Sequence, residues 1–168
     1  MTAPVSITQS AIFTAVRAYI LGLITCEVVD GLDNGVPMPL NPFIAITALY
    51  AKRVSTNINS TSDPTPTTGA VNHEDHVEYA IQIDCYGPLS SDWASIICAL
   101  WRDEYAVIAM APACVPLYAD DPKMIPAVDA EQNFEQRWLI EASVQYNPVV
   151  QTPMQFFTAA TVNLVDVA

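Results

Sequence analysis

The chain has 168 residues, near the ~100–150 of a common domain, so one globular unit spanning residues 1–168 is expected. Six Lys and Arg stand against 18 Asp and Glu, and the net charge of −12 excludes a protein that grips nucleic-acid phosphates through its surface. Only 14% of residues are charged, against ~25% in an average domain, while 52% are hydrophobic, so part of the apolar surface is expected to be covered by other subunits or partners.

Ser6 and Gln9 have capping-box spacing, and Ile7, Ala11, Ala15, Tyr19 and Leu23 follow near helical period, which predicts an amphipathic helix from Ser6 to Leu23. The apolar run Ala11 to Ile24 is interrupted by Arg17 and Gly22 and is too short to span a bilayer. The N-terminus has no basic, signal-like region, which predicts synthesis without secretion. Cys26 to Asp30 suits a short strand, and Gly31, Gly35 and the prolines at 37, 39 and 42 then predict an irregular connection. Phe43 to Val54 is apolar on both alternating faces, as in a central strand.

From Ser55 to His76 the sequence turns to Ser, Thr, Asn, Asp and Pro, too poor in large apolar residues for a core of its own, and reads as an extended, mobile hairpin tip. Val77 to Cys85 alternates as a strand with one buried face, returning antiparallel to the one before. Beyond Gly87-Pro88, Ser90 or Ser91 is placed to cap a helix with Trp93, Ile97, Leu100 and Trp101 on its core face and Pro112 as its stop. Val115 to Ala130 reads as a proline-broken loop with one or two short extended pieces. Glu135 to Asn147 alternates again, with Trp138, Ile140, Ala142, Val144 and Tyr146 on one face, and Phe156 to Val167 has β-like character. The order predicts an α+β fold, an antiparallel sheet with a long β-hairpin and two helices packed on one face.

Little in the chain suggests reaction chemistry. His73-Glu74-Asp75-His76 lacks the four-residue histidine spacing of a zincin helix and has no evident third ligand, so no metal site is expected. Asp120-Asp121 reads as a solvated acidic pair, and the five glycines form no phosphate-binding loop. Cys26, Cys85, Cys98 and Cys114 are too widely spaced for a C-x-x-C site and are expected as reduced, mostly buried thiols. Cys98 has no histidine nearby to serve as its base. Asn59-Ser60-Thr61 is a sequon only in form, and Trp93, Trp101 and Trp138 are expected in the core. No catalytic residue, cofactor or metal ligand is predicted.

Five segments occur in a telling order: Tyr86-Gly87-Pro88, Leu100-Trp101-Arg102-Asp103-Glu104-Tyr105, Pro116-Leu117-Tyr118-Ala119-Asp120-Asp121-Pro122, Glu135-Gln136-Arg137-Trp138 and Asn147-Pro148-Val149-Val150. Together they resemble the neck or tail terminator proteins of tailed bacteriophages, across Phe43 to Val167, with the first helix fitting only in general character. The resemblance implies a non-enzymatic virion protein, assembled in the host cytoplasm, that forms a homo-oligomeric ring, usually a hexamer, in the neck. Such a ring terminates the tail tube, meets the head-completion or connector proteins, and lets DNA pass without specific binding. Trp101, Arg102, Asp103, Glu104, Arg137 and Trp138 are the positions it marks as structural or interface residues, with Arg102 and Arg137 expected in ion pairs. An acidic lumen would repel DNA, and a head-to-tail ring would bury two different apolar faces of each subunit. Ser55 to His76 and Gly31 to Pro42 are read as docking arms. The alternatives are another phage morphogenesis protein, such as a tail tube or head-tail adaptor subunit, or a small hydrolase or ligand-binding module whose groups meet only on folding.

Overall fold

The computed structural model describes residues 4–33, 39–40, 42–65, 68–128 and 134–154. Its first helix is α1 (Gln9–Leu23), which buries Ile12, Val16, Tyr19 and Ile20 along one stripe because these positions step by three and four residues. The expected start at Ser6 is corrected. Thr8 is the N-cap, its Oγ1 accepting from the Ala11 N–H at 3.3 Å, while Ser6 Oγ accepts from the Val149 N–H at 2.9 Å.

The strand β1 (Glu27–Asp30) runs parallel to β2 (Phe43–Arg53). Gly31 leaves β1 so close to β2 that a Cβ on it would collide with the Thr47 hydroxyl, which would have to turn away to admit a side chain. β2 is not a central strand along its whole length, because β1 covers only Phe43 to Ile46. Beyond that point Leu49 and Tyr50 are exposed.

The stretch 55–76 is more than a bare tip. It holds β3 (Ile58–Thr65) and β4 (Thr68–Glu74), paired antiparallel. β5 (Val77–Tyr86) then pairs with β2 from Arg53↔Val77 to Phe43↔Tyr86.

Among the described residues three helices replace the expected two, because the segment read as one helix up to Pro112 breaks into α2 (Ser90–Trp101) and α3 (Glu104–Met110). Asp103 causes the restart: its backbone is extended, and its carboxylate accepts from the Tyr105 N–H at 3.0 Å as the N-cap of α3. The new axis turns Ala106 and Met110 into the core. Neither Ser90 nor Ser91 caps α2. Leu89 takes that position without a side-chain bond, and Leu100 is only half-buried.

The predicted loop after Pro112 contains β6 (Val115–Ala119), β7 (Lys123–Met124) and β8 (Ala127–Val128), and β9 (Phe134–Glu135) follows. β10 (Arg137–Tyr146) pairs antiparallel with β5 along its full length and with both β6 and β7 on its other side. Past Pro148, β11 (Val149–Pro153) joins β4. The predicted strand from Phe156 to Val167 lies outside the described residues.

The result is an α+β architecture whose main sheet has the order β1-β2-β5-β10-β6, with β7 beside β10. All its pairings are antiparallel except β1 with β2. The three helices cover one face, where Ile44, Ile83, Ile140 and Val144 meet Ile12, Ile20, Ile97 and Trp101 in one buried cluster. A polar three-stranded sheet, β11-β4-β3, extends from the β2–β5 hairpin, and β8–β9 forms a small separate pair.

Candidate assembly surface

The six positions marked by the sequence fall into two places. At the α2–α3 joint, Trp101 is 1% exposed, stacks edge-on against Tyr19 with ring centroids 5.5 Å apart, and donates from Nε1 to the Ser143 carbonyl at 3.4 Å. Its role there is to hold α2 onto α1 and β10. Arg102 follows at the surface. Its guanidinium donates to the Ala119 carbonyl, lies 4.8 Å from the centre of the Tyr118 ring, and faces Asp121 at 3.9 Å. These contacts tie the end of α2 to β6, although the ion pair itself is solvent-exposed and weak. Asp103 caps α3, and Glu104 is an exposed residue of its first turn, favourable at the positive end of the helix dipole.

The other two positions start β10 and point to opposite faces. Trp138 lies half-buried against the helix-side core, opposite Cys85 and Met124. Arg137 lies on the helix-free face. There its Nε donates to Asp84 Oδ1 at 2.9 Å, and Gln82 donates to Asp84 Oδ2 at 2.7 Å. Asp84 is 3% exposed, so the carboxylate of this ion pair is buried while Arg137 remains partly in water. Burial alone would lower the Arg137 pKa, but the hydrogen bond and charge of Asp84 outweigh it and raise the value. Tyr86 continues the cluster: it stacks on Phe43 with centroids 4.5 Å apart, and the Arg137 guanidinium lies 5.8 Å from its ring centre. Gly87, at φ +107°, ends β5 beside Pro42, where a Cβ would come within 2.8 Å of the proline ring.

The expected ion pairs form, but with residues far away in sequence. Asp84 was missed because its strand alternates as if Glu78, Gln82 and Asp84 shared a solvated face. Only pairing with β10 puts Arg137 over it. Of the polar clusters found in the sequence, His73 bridges strands through Asn59 Oδ1 at 2.9 Å and Thr152 Oγ1 at 3.1 Å, whereas His76 Nε2, 3.9 Å from Glu74, is buried without a hydrogen-bond partner among the described residues. Asp120 pairs with Lys123 at 3.2 Å. Among the described residues no group of three or more His, Cys, Asp or Glu is arranged to hold a metal ion.

All four cysteines are free thiols. Burial pushes Cys85 up to about 12 and Cys114 up to about 11, and it also raises Cys98, whose Sγ donates to the Asp120 carbonyl at 3.2 Å. Such thiols are held in the unreactive protonated form.

Apolar side chains remain at the surface on both edges of the main sheet. Leu49, Tyr50 and Val54 are exposed on the β2 side, and Val115, Leu117, Tyr118 and Met124 on the β6–β7 side. This arrangement offers surfaces for contact. No helix among the described residues is long and apolar enough to cross a membrane. Comparison with curated proteins gives no match. Comparison with protein families matches residues 10–167 to the family described as phage neck terminator protein, a span that takes in α1 as well as the later segments. The chain therefore belongs to the phage neck terminator protein family and is a structural protein of the bacteriophage neck.

Proposed function

We propose that this protein forms a closed ring in the neck, a hexamer, that terminates the tail tube on one face and receives the head-completion or connector protein on the other. The observation that carries this reading is the pair of apolar sheet edges on a chain with too few charges to solvate them. A head-to-tail contact buries two different surfaces of each subunit, and with rotational symmetry such contacts close into a ring. The net charge of −12 supports an acidic channel. DNA in such a lumen is repelled from the wall and passes without being held. The acts of the protein are thus geometric and electrostatic: binding neighbours, stopping tube growth and leaving a passage.

Native mass spectrometry and electron microscopy of the purified protein, alone and with tail tubes, test the reading. Closed rings seated at tube ends are expected. Long filaments would instead identify a tube subunit, and a protein that stays monomeric and never associates with tubes or connectors would overturn the proposal.

A further inference from the structure

The main sheet leaves a strand edge open on each side. From Thr47 to Arg53, β2 has β5 on one side and no described strand on the other, and at the far side β6 and β7 pair with β10 and with no other described strand. Both edges are blunted against further strand pairing. β2 is bulged between Ala48 and Tyr50, Pro116 of β6 has no N–H to donate, and the Ala119 carbonyl already accepts from Arg102. What the two edges offer a neighbour is therefore their side chains.

Four of the six basic residues are engaged within the subunit: Arg17 with the Val28 carbonyl, and Arg102, Lys123 and Arg137 with Asp121, Asp120 and Asp84. The other two, Lys52 and Arg53, end the open stretch of β2. Neither has a carboxylate within ion-pair distance among the described residues: Lys52 stands opposite Glu78 but outside that distance, and Arg53 donates to Asn57 Oδ1 at 3.1 Å. Exposed apolar side chains flank them, Tyr50 before and Val54 after. The opposite edge carries the same pattern with the other sign. Between exposed Tyr118 and exposed Met124 stand Asp120 and Asp121, and the Asp121 side chain is 96% exposed. Their pairs with Lys123 and Arg102 lie at the surface. Exposed Glu104, just past Arg102, and exposed Glu141, whose carbonyl accepts from the Asp120 N–H, leave this edge acidic.

Successive pairings along β2, β5, β10 and β6 are antiparallel, so β6 runs opposite to β2. A copy related by rotation about an axis roughly along the strands sets its β6–β7 edge antiparallel to its neighbour's β2, and in that direction the two patterns read alike: apolar, charged, apolar. We infer that the β2 edge of one copy packs on the β6–β7 edge of a second copy of this chain, Tyr50 against Met124 and Val54 against Tyr118, with Lys52 and Arg53 facing Asp121 and Asp120. Within one sheet Lys52 is level with Val115, so this match staggers neighbours by about five residues, roughly 17 Å along the strands, the kind of offset that tilts the strands of a closed sheet. The inference rests on the ring reading and supplies its head-to-tail contact.

Sedimentation velocity over a concentration series, with and without tail tubes, tests it by charge reversal. Lys52→Glu with Arg53→Glu makes both edges acidic, and Asp120→Lys with Asp121→Lys makes both basic. Each is expected to weaken self-association about thirtyfold or more. An equal mixture of the two variants has opposite signs at every contact of an alternating ring, and is expected to recover the wild-type assembly. Circular dichroism and melting check each fold. Should the aspartate variant misfold, Tyr50→Ala and Met124→Ala, both at exposed positions, are expected to weaken association about tenfold or more. Rings from wild type together with undiminished association of these variants, or with a mixture of folded charge variants that stays monomeric, would overturn this contact and leave the ring standing. A wild type that is monomeric under every condition would overturn both.

Discussion

The Arg137–Asp84 pair gives the sharpest test of how this subunit is held together. At an N–O separation of 2.9 Å, the attraction is about 6 kcal/mol for an effective dielectric near 20, before the cost of removing both groups from water. The Asp84 side chain is 4% exposed and that of Arg137 25%, so the carboxylate has given up nearly all its hydration and the guanidinium most of it. Truncating Arg137 to Met leaves a buried carboxylate whose side-chain partner among the described residues is the Gln82 amide alone. Losing one member of a buried pair costs about 3–5 kcal/mol, and discounting for the part of Arg137 in water gives about 2–4 kcal/mol. For a chain of this size that lowers the melting temperature by about 5–15 °C. The assay is a double-mutant cycle in urea: wild type, Arg137→Met, Asp84→Leu and the double variant. The double variant is expected to recover much of the loss, because two apolar side chains leave no orphaned charge, and the coupling should exceed about 1.5 kcal/mol. Single variants costing less than about 0.5 kcal/mol, with additive effects, would show that the pair behaves as a surface contact and that the helix-free face is open to water.

Two further outcomes follow from the core. Trp101→Ala is expected to destabilise by about 3–5 kcal/mol, measured by urea denaturation, because it removes the ring that joins Tyr19, α2 and β10. A loss below about 1 kcal/mol would place this side chain outside the core. The buried thiols make stability fall in alkali. Cys85 ionises near 9 when unfolded but is pushed up to about 12 when folded, and Cys114 to about 11. Their contribution is complete below pH 9 and is lost as the pH rises from 9 toward those values, at no more than about 1.4 kcal/mol per pH unit for each thiol. Denaturation midpoints measured from pH 8 to 11 should decline accordingly, and Cys85→Ala with Cys114→Ala should flatten the decline. A slope unchanged by that double substitution would assign it to other groups.

Elements whose burial repeats with a short period were legible from the chain alone. The stripe of α1, the alternation of β5 and β10 and the α+β order all come from side-chain spacing, since a helix or strand presents its apolar residues at fixed intervals. The ordered segments around Trp101-Arg102-Asp103 and Arg137-Trp138 likewise carried the family in the linear sequence. Boundaries set by competition between neighbouring groups were not legible. Thr8 outcompetes Ser6 as a cap because Ser6 bonds to β11, more than a hundred residues away, and Asp103 restarts a helix that propensity would have carried on. β6, β7 and β11 form in proline-containing stretches because β10 and β4 offer them hydrogen-bonding edges. Asp84 looked like a solvated strand residue until pairing set Arg137 against it, and β2 looked central until β1 ended halfway along it. Sequence by itself determined the composition, the periodic elements and the motifs of the family. Only the tertiary structure decided which charge is buried, which edge is open and which apolar side chains are left exposed, because these depend on contacts between residues far apart in the chain.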